Sequence, residues 1–575
     1  MRFFVEIYLP STILIHMIFQ QSKKHFSLIT LFILFFCIDS FAQFNRQDSL
    51  RGTLSSIRAC YDVTFYDLKL KVSPSSQTIE GSNTIHYKAT TDFKKMQVDL
   101  FANMQIINIL QNEQPLKFFR EGNAVFINFA DNQKKGKNYS IKINYQGKPQ
   151  IARNPPWDGG FTWEKDPNGK DWIVVSCEGV GASLWFPNKD HLSDEPDSVR
   201  ITCAVPKGLT CVSNGNLRST KELKNNSQAS DNKQLNDVKS LPYTEFEWFV
   251  SYPINNYNIT LNIADYANFK DVYTAQDGEK LDLDYYVLKP NLEKAKKHFQ
   301  QVKPMLACYE KYFGKYPFWK DGYALVETPY WGMEHQSAVA YGNNYKSNEY
   351  GFDFIIIHES GHEYFGNSVS CNDYAEMWIH ESFTTYMEAL YVEYTQGYEK
   401  AIKYLEKQKT GIRNGEALIG PMGVNYPQPD SDIYYKGTWM LHTIRNVVND
   451  DKIWFEALKE IATKFKIKNV STEQIIECFN QKTGKNLTSY FDMYLRTKHL
   501  PILQYQIISK SNNTVELRYR YKDATDSMPI KAGYGLQMYE VISPKSEWQT
   551  KVFQKLEGQE FKIATELFYI KAEKI

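Results

Sequence analysis

Residues 355–362 read IIIHESGH, a short apolar run that leads into a His-Glu-x-x-His motif. Because His358 and His362 are one helical turn apart, both imidazoles would project from the same helix face and could bind one metal ion. Glu359 would then point towards the water beside that ion. The spacing suits zinc, but so short a motif also arises by chance, and the rest of the chain must support it.

That support comes from Glu381, because eighteen residues lie between it and His362. The segment 378–388, WIHESFTTYME, predicts a second helix that carries Glu381 towards the two histidines. Two histidines and one carboxylate leave the fourth position of a tetrahedral zinc ion open for water, which distinguishes a catalytic site from a closed structural one. We therefore predict one zinc ion per chain, bound by His358, His362 and Glu381.

The same residues predict a hydrolytic reaction. Zinc at such a site acidifies water and polarises a bound carbonyl. Glu359 is placed to take a proton from that water and to give it later to the departing amine. Glu388 lies seven residues after Glu381 on the same helix face. It would either support a metal ligand from behind or be a solvated helix carboxylate, and the sequence leaves both possibilities open.

The composition is that of a folded protein with several domains. Apolar residues make up 42% and aromatic residues 15% of the 575 residues, which is typical of globular chains. A chain of this length is too long for one core, and we expect three domains. Lys and Arg number 67 against 66 Asp and Glu, so the net charge of +1 gives no reason to expect nucleic acid as a partner.

Hydrophobic patterning divides the chain into three regions and predicts a multidomain α+β fold. From 43 to 264, short alternating runs such as 63–70 lie between turn-forming clusters and predict a β-rich domain. From 265 to 500, helical periodicity that begins near Leu292 predicts a mostly helical domain. Residues 501–575 return to alternation and predict a small β-sandwich. The polar stretch 219–240 is predicted to be a surface loop.

The first 42 residues have the pattern of a signal peptide. Lys23 and Lys24 form a basic start, residues 26–38 form an apolar run, and residues 40–42 form a small-residue cleavage site. The run is shorter than the ~20 residues of a membrane span. We therefore expect an exported protein, periplasmic, secreted or at the cell surface, with no membrane span in the mature chain; Met17 could be its true start.

Cysteine usage does not indicate a disulfide scaffold. The chain has eight cysteines, and Cys37 lies in the predicted signal peptide, so an odd number remains. Cys203 and Cys211 lie on either side of a turn at 206–208. They either face each other across a hairpin and form a disulfide, or are two small buried residues.

Beyond the two zinc helices, the chain resembles the gluzincin aminopeptidases, the family that includes membrane alanyl aminopeptidase and leukotriene hydrolase. The resemblance rests on the His-Glu-x-x-His motif, its spacing to Glu381, and Gly366-Asn367 after the first helix. The family's exopeptidase motif, Gly-x-Met-Glu-Asn, is matched by residues 331–335, WGMEH. The resemblance implies that Glu334 binds the free α-amino group of a peptide, with Gly332 and Met333 beside it as substrate contacts.

This motif departs from the family pattern at two positions. Trp331 stands where Gly is usual, and His335 stands where Asn is usual. We expect both residues to reshape the first substrate subsite, so the preferred terminal residue does not follow from the resemblance.

Two further segments resemble family landmarks. Residues 175–179, VSCEG, are similar to a segment of the β-rich domain that supplies a second contact to the substrate amine, which implies this role for Glu178. Residues 433–437 read IYYKG. Aligned on Lys-Gly, Tyr434 takes the position whose hydroxyl stabilises the oxyanion, and Tyr435 is the second candidate for that role.

The resemblance implies a saddle-shaped β domain, a thermolysin-like catalytic domain and a small β-sandwich, without the C-terminal helical repeat domain of many members. It implies an aminopeptidase whose substrates are peptides with a free amino terminus. Three rival functions stay open. A zinc endopeptidase would share the metal site without needing Glu334, a non-catalytic peptide-binding scaffold could use the same fold, and one branch of the family hydrolyses epoxides. Oligomeric state does not follow from these motifs.

Overall fold

The computed structural model of the 575-residue chain describes residues 44–223, 242–426, 431–510, 513–523 and 527–575. The predicted signal peptide, residues 1–42, lies outside the described residues, as does most of the predicted polar loop. No helix among the described residues is both long enough and apolar enough to cross a membrane.

Before residue 265, the described residues form three sheets and two short helices. The helices are α1 Arg46–Gly52 and α2 Ser56–Ala59. The strands are β1 Tyr61–Ser73, β2 Thr78–Ala89, β3 Phe93–Asp99, β4 Met104–Gln111, β5 Gln114–Pro115, β6 Lys117–Glu121, β7 Ala124–Gln133, β8 Asn138–Gly147, β9 Gly160–Lys165, β10 Asp171–Ser176, β11 Ser198–Pro206, β12 Thr210–Val212, β13 Asn216–Leu223, β14 Tyr243–Val250 and β15 Asn262–Ala264. The largest sheet has the order β13-β14-β11-β1-β2-β8-β4-β5.

The alternating pattern at 63–70 forms the centre of this large sheet. Strand β1 pairs antiparallel with β2 and parallel with β11, and its residues Tyr66, Leu68, Leu70 and Val72 are buried. Side chains two residues apart lie on the same face of a strand, so this set covers one face of the sheet and packs into the core. The alternating run from which the sequence predicted a β-rich region is therefore a strand of this sheet with one buried face.

One prediction in this region is wrong. Residues 219–223 are the end of strand β13 and not a loop; their side chains are almost all exposed because β13 is an edge strand, so polar composition hid the pairing with β14. Of the two alternatives left open for Cys203 and Cys211, the structure has the second: the turn between them carries the chain from one sheet to another, and both thiols are buried and free. Burial raises the pKa of Cys211.

The region from 266 to 496 combines a small sheet with nine described helices. The sheet has the order β16-β17-β18-β20-β19, and a parallel pair, β21 and β22, lies apart from it. The strands are β16 Tyr266–Thr274, β17 Lys280–Leu288, β18 Tyr323–Glu327, β19 Gly332–Met333, β20 Val339–Tyr341, β21 Val369–Cys371 and β22 Lys468–Val470. The helices are α3 Leu292–His298, α4 Val302–Phe313, α5 Phe354–Gly361, α6 Trp378–Gln396, α7 Tyr398–Lys409, α8 Asp432–Val448, α9 Asp451–Lys464, α10 Thr472–Thr483 and α11 Thr488–Arg496.

The two predicted zinc helices are present as α5 and α6. Both helices are buried on nearly all sides. Their sequences are therefore mostly apolar or uncharged, apart from the polar residues of the site. Behind the site, Phe365 stacks on Phe383 with ring centroids 4.3 Å apart. Strand β19 lies at the edge of the five-stranded sheet, so one of its edges pairs with no other strand. Its two residues lie beside the histidines of the predicted metal site.

The C-terminal residues form two sheets, with the orders β27-β24-β23-β29 and β26-β25-β28. Their strands are β23 Ile502–Ser509, β24 Thr514–Tyr521, β25 Ile530–Gly533, β26 Tyr539–Ile542, β27 Gln549–Gln554, β28 Lys562–Ile563 and β29 Lys571–Lys574. The predicted fold class, a β-rich region followed by a mostly helical region and a second β-rich region, is therefore confirmed. The domain boundaries at 264/265 and 500/501 stay predictions.

Candidate active site

Helix α5, which carries the two histidines, is anchored at its N-terminus by Asp353. This carboxylate caps the helix by accepting a hydrogen bond of 3.2 Å from the Ile355 N–H. It also accepts a hydrogen bond of 2.7 Å from the hydroxyl of Tyr341, on the neighbouring strand β20. The apolar run that follows is buried. The helix is thus fixed by its cap and by its core contacts before the histidines are reached.

The three predicted metal ligands meet at one point. Nε2 of His358 and Nε2 of His362 are 3.2 Å apart, and each is 3.4 Å from Oε2 of Glu381. A tetrahedral zinc ion bound at about 2.0–2.1 Å holds its ligand atoms about 3.3–3.4 Å apart. Among the described residues Glu381 Oε2 is buried and has no hydrogen-bond partner. The donor set and its spacing therefore fit a zinc ion.

The second nitrogen of each imidazole is held by its own partner. Nδ1 of His358 lies 2.7 Å from Oε1 of Glu388, and Nδ1 of His362 lies 3.0 Å from the backbone oxygen of Phe365. Since an Nδ1–H donates in each contact, Nε2 of both rings is left to face the metal position. Gly366, whose φ is +131°, lets the chain turn beside the His362 ring.

Glu388 is therefore not a solvated helix carboxylate. It is 5% exposed, and besides His358 it accepts hydrogen bonds from the Tyr404 hydroxyl and, at 3.1 Å, from Gln408 Nε2. Such a network fixes both the position and the charge of the carboxylate that orients a ligand. The sequence left two roles open for Glu388. The structure favours the first, in which Glu388 supports the metal ligand His358.

Electrostatics separate the ligand carboxylate from the base. Burial works against ionisation of both Glu381 and Glu359. The neighbouring imidazoles of His362 and His358 outweigh burial at Glu381 and hold its pKa below the ordinary value. At Glu359, burial dominates over the same imidazoles, and the pKa is raised. The carboxylate with the lowered pKa is the natural ligand, and the one with the raised pKa is the better proton acceptor and donor.

Gly332 allows Glu359 to approach strand β19. A Cβ atom at position 332 would lie 2.6 Å from Oε1 of Glu359 and 2.8 Å from Cγ2 of Ile355, closer than real contacts allow. Any other residue there would push the base away from its place. This is a physical reason for a glycine at this position of the motif, and it brings the base and the motif backbone together.

A cavity of about 410 Å³ joins these groups to the two predicted amine-binding carboxylates. Glu178 and Glu334 line it together with the three ligands and Glu359, and so do Gly332 and Met333. An oxygen of Glu334 lies within 4.8 Å of ligand atoms of both Glu359 and His362. The structure thus brings together every residue that the sequence singled out for substrate contact.

Glu178 and Glu334 lie in the same cavity as the other carboxylates of the site, where their ionised forms are disfavoured. Glu334 is 2% exposed and accepts a hydrogen bond of 3.1 Å from the hydroxyl of Tyr257. Burial, and then the charge of Glu178, raise the pKa of Glu334 well above its usual value. Burial, and then the charges of Glu381 and Glu359, raise the pKa of Glu178 to about 8. A cation placed between them would relieve this repulsion.

Tyr434, in the first turn of helix α8, faces the same cavity. Its ring centroid is 5.9 Å from that of His358, and it lines the cavity beside the ligands. Burial and the surrounding carboxylates raise the pKa of Tyr434 well above 10, so the phenol stays protonated and can donate. Tyr435, the second candidate, lines only the neighbouring cavity, on the side away from Glu334.

The Lys-Gly pair after these tyrosines is structural. Helix α8 crosses α6 at Gly437, where a Cβ would lie 1.7 Å from Oγ of Ser382, the residue after Glu381. The Ser382 hydroxyl donates to the Ile433 backbone oxygen at 2.6 Å. Lys436 is buried and donates to the Thr497 oxygen at 2.9 Å. These contacts set the distance between the helix of Tyr434 and the helix of Glu381.

Two family models match this chain. The peptidase M1 N-terminal domain matches residues 63–237, and the peptidase family M1 domain matches residues 298–494, which contain both zinc helices. The chain belongs to peptidase family M1. The resemblance found in the sequence motifs is thereby confirmed, and zinc is the metal that this M1 site is built to hold.

Relatives of known activity and structure agree with this membership. The chain is 25% identical over 229 residues to aminopeptidase N of Lactococcus lactis, covering 36% of this chain and 26% of the relative. It is 21% identical over 400 residues to glutamyl aminopeptidase of Rattus norvegicus, covering 65% of this chain and 39% of the relative. The chain thus spans less than two thirds of the length of these curated relatives.

A solved M1 structure shares the fold. A mutant of the M1 zinc metallopeptidase of Deinococcus radiodurans, bound to a Tyr-Ser-Ala substrate, superposes with a TM-score of 0.63 at 18% identity. The match covers 77% of this chain and 95% of that one. At this level of identity the comparison concerns the fold.

The two departures from the M1 motif have different consequences. Trp331 is 53% exposed, lines the cavity, and makes an edge contact with Trp157 at 6.0 Å between ring centroids. His335 is fully buried and does not line the cavity, so any effect on the subsite would pass through its neighbour Glu334, and this effect stays a prediction. Burial lowers the pKa of His335 to about 3, which keeps its imidazole neutral beside Glu334.

Sequence reasoning missed several residues that the M1 site uses. Tyr257 contacts Glu334, and Asn367 donates to the Glu334 backbone oxygen at 2.8 Å. Trp157, Tyr374 and Tyr426 line the cavity from loops. With 39 tyrosines in the chain, an isolated one carries no signal, whereas Asn367 belongs to the Gly366-Asn367 pair that the motif comparison noted without assigning it a role.

Proposed function

We propose that this protein is a zinc aminopeptidase, which hydrolyses the first peptide bond of peptides that have a free amino terminus. The observation that carries the proposal is the presence, in one cavity, of the three metal ligands, the base Glu359 and two further carboxylates, Glu178 and Glu334. Relatives are named aminopeptidase N and glutamyl aminopeptidase, and the Deinococcus M1 enzyme was solved with a tripeptide substrate.

Recognition of the chain end follows from charge. A peptide's α-ammonium group would bind between the half-buried Glu178 and the buried Glu334. Both carboxyl groups have a raised pKa, and a cation between them favours their ionised forms. An internal residue of a peptide offers a neutral amide at this point and would leave both carboxylates uncompensated. The cavity therefore favours hydrolysis of the bond next to the amino terminus over hydrolysis of internal bonds.

The hydrolytic chemistry is divided among a few groups. A zinc ion held by His358, His362 and Glu381 would polarise the substrate carbonyl and acidify a water molecule. Glu359 takes the proton from the attacking water, for which its raised pKa suits it, and delivers the proton to the departing amine. The same carboxylate thus acts first as base and then as acid, and no covalent bond to the protein forms.

Tyr434 acts on the charge that develops during the attack. Its phenol stays protonated because burial and nearby carboxylates raise its pKa, so it can donate a hydrogen bond to the carbonyl oxygen as that oxygen becomes negative. A donor whose bond strengthens only in the transition state raises kcat and leaves substrate binding largely unchanged. We propose Tyr434 ahead of Tyr435 for this role because Tyr435 lines the neighbouring cavity and not the one that contains Glu178 and Glu334.

A panel of aminoacyl fluorogenic amides, assayed with and without a chelator, tests the proposal. We expect turnover of several free-amine substrates, loss of turnover on chelation, and recovery on addition of zinc. Matched peptides with acetylated amino ends are the control and should be cleaved at least about a hundredfold more slowly, because they present no ammonium group. Efficient cleavage inside the acetylated peptides would identify an endopeptidase, and absence of all turnover with one zinc ion bound would favour a peptide-binding scaffold.

We also propose that the protein is exported after removal of residues 1–42. The support is the basic start at Lys23 and Lys24, the apolar run and the small-residue cleavage site. Mass spectrometry of protein from its natural host would test this, with Gln43 as the expected first residue. An intact amino terminus on cytoplasmic protein would contradict the proposal.

A further inference from the structure

The segment from Phe44 to Thr53, which contains helix α1, lies against one wall of the cavity that holds Glu178 and Glu334. The Asp48 backbone oxygen accepts a hydrogen bond of 3.1 Å from the Asn425 N–H, and the Thr53 hydroxyl donates to the Gly423 oxygen at 2.8 Å. The Phe44 ring contacts that of Tyr426, with centroids 6.2 Å apart. We call this segment the N-terminal strap. It fastens the loop at 423–426, whose last residue lines the cavity.

Arg51 is the residue of the strap that reaches furthest inward. Its Nη1 donates to the Gly179 backbone oxygen at 2.7 Å and to Asn425 Oδ1 at 2.5 Å. Its Nη2 lies 3.4 Å from the Tyr374 hydroxyl, and the guanidinium carbon is 5.4 Å from the centre of that ring. The side chain is 15% exposed, and Nε lies 3.7 Å from Asp190, which balances the charge.

The partners of this guanidinium have one property in common: each is part of the cavity wall or adjoins it. Gly179 follows Glu178 directly, Tyr374 lines the cavity, and Asn425 precedes Tyr426, which also lines it. These three segments are far apart in sequence and come from different parts of the fold. Within the described residues, one planar cation therefore ties together three walls of the site, a geometry that a guanidinium's fixed fork of donors suits.

The Glu178 loop is shaped around this side chain. Gly179 and Gly181 have φ values of +69° and +104°, which only a glycine adopts without strain, so the loop bends sharply on both sides of Val180. A Cβ at Gly181 would lie 2.6 Å from Arg51 Nη2 and 2.1 Å from Asp190 Oδ2. The backbone of this loop thus packs directly against the Arg51 guanidinium, at a distance that leaves no room for a side chain at position 181.

We propose that Arg51 is a positioning residue for substrate-amine recognition. It holds the Glu178 loop, Tyr374 and the 423–426 loop in the arrangement that binds the first residue of the peptide. The inference rests on the proposed aminopeptidase function. Without Arg51, the loop that carries Glu178 must be ordered by the substrate itself, which weakens binding without touching Glu359 or Tyr434. The loss therefore falls on KM and leaves kcat nearly unchanged.

The test compares Arg51→Ala and Arg51→Lys with a matched control, Arg46→Ala. Arg46 lies on the same helix and pairs with Glu121 at 2.9 Å, but both side chains are well exposed and neither lines the cavity. Each variant is assayed with the best aminoacyl amide, and thermal unfolding is followed in parallel. The free amino acid released from that substrate serves as a competitive inhibitor, so its inhibition constant measures the occupancy of the amine position separately from turnover.

We expect Arg51→Ala to raise KM about tenfold and the inhibition constant of the amino acid by a similar factor, with kcat within about twofold of wild type. Lysine keeps the charge but cannot donate hydrogen bonds to the three walls at once. The KM and the inhibition constant of Arg51→Lys should therefore lie between those of Arg51→Ala and wild type. Arg46→Ala should match wild type. If Arg51→Ala does not fold, Arg51→Lys decides the question by the same two constants.

Two results overturn the inference. One is that KM and the inhibition constant in the Arg51 variants match those of Arg46→Ala; the other is that kcat falls as much as KM rises, which would assign Arg51 a general structural role. Failure of the underlying function looks different, because the wild-type protein itself would then cleave none of the free-amine substrates. If the wild-type protein cleaves the free-amine substrates and the Arg51 variants are unaffected, the inference about Arg51 is rejected but the proposed function is not.

Discussion

The metal-binding half of the site and the amine-binding half are constructed in different ways. The three metal ligands lie on two consecutive helices, α5 and α6, and their supports, such as Asp353 and Glu388, belong to the same helical region. The amine-binding carboxylates lie on a loop of the β-rich region and directly after the two-residue edge strand β19. Their supports, Tyr257 and Arg51, come from distant parts of the chain.

Chemistry and recognition therefore depend on different kinds of contact. A helix fixes the relative position of residues three or four apart without help, so a metal site can be encoded in a short sequence. A site shared between loops and an edge strand needs contacts over long sequence separation, and its precision depends on residues outside the motif. Changes in the first half should therefore abolish turnover or zinc binding, whereas changes in the second should alter which peptides bind.

The largest effect is expected for Glu359→Gln. The amide keeps the size of the side chain but cannot accept the proton of water, so kcat should fall by about a hundredfold to ten-thousandfold. Zinc content, measured by elemental analysis, should stay at one per chain because Glu359 is not among the three ligands. An unchanged rate would refute the assignment of the base, and loss of zinc would show that the metal-binding half extends further than described.

Glu388→Gln tests the support of that half. The amide cannot match the charge that the His358 Nδ1–H now faces at 2.7 Å, so zinc affinity should fall about tenfold to a hundredfold. Competition with a chelator of known affinity measures it. Glu393→Gln is a matched control on the same helix, because Glu393 pairs with Arg445 away from the metal position. Equal affinities in the two variants would remove Glu388 from the site.

Glu334→Gln tests the amine-binding half. Loss of one charge-assisted hydrogen bond, worth about 1.5–3 kcal/mol, should raise KM for free-amine substrates by roughly tenfold to a hundredfold. The preference for free over acetylated peptides should shrink with it, because the acetylated peptide never used that charge. Steady-state kinetics on matched peptide pairs gives both numbers. A variant that loses turnover on both kinds of peptide equally would show that Glu334 belongs with the chemical half.

The close contact between helices α8 and α6, which positions Tyr434 relative to Glu381, can be broken at Gly437. Alanine there would collide with Ser382 Oγ, and such overpacking typically costs about 1–3 kcal/mol. We expect Gly437→Ala to lower thermal stability and kcat together, because Tyr434 and Glu381 shift relative to each other. Adding Ser382→Gly should recover part of both by making room. If the double variant is no better than the single one, the close helix contact is not the cause.

The smallest effect is expected for Trp331→Gly, which restores the residue usual in M1 motifs. Trp331 is largely exposed and contacts Trp157 only at its edge, so thermal stability should change little. Relative rates across the aminoacyl panel should shift severalfold, because both tryptophans line the cavity that receives the first residue. An unchanged ranking of substrates would mean that specificity is set elsewhere in the amine-binding half.

The two halves were also unequally predictable from the sequence. His358, His362 and Glu359 followed from helical spacing, and Glu381 followed from the eighteen-residue interval and a second predicted helix; the structure brings all four together. Glu334, Glu178 and Tyr434 required the family resemblance, since no local period marks a carboxylate after an edge strand or on a loop. The burial of the His335 imidazole did not follow from the motif, because burial depends on packing against residues far away in sequence.

Strand pairing set a further limit. The end of the edge strand β13, residues 219–223, was predicted to be a loop because its exposed residues are polar, and only its partner β14 reveals it. The sequence left open whether Cys203 and Cys211 pair, because a turn in sequence does not say whether the chain returns to the same sheet. Neither Arg51 nor Tyr257 lies in a sequence motif that indicates a function. Their importance depends on three-dimensional contacts that connect segments more than seventy residues apart.

A crystal structure of the Glu359→Gln variant with zinc and a bound tripeptide would show both halves of the site in use at once. We predict zinc on His358, His362 and Glu381, and the peptide's amino nitrogen within hydrogen-bond distance of Glu178 and Glu334. A peptide that crosses the site with its amino terminus in the neighbouring cavity beside Tyr435, and with an internal residue between the two carboxylates, would contradict amine recognition by this pair.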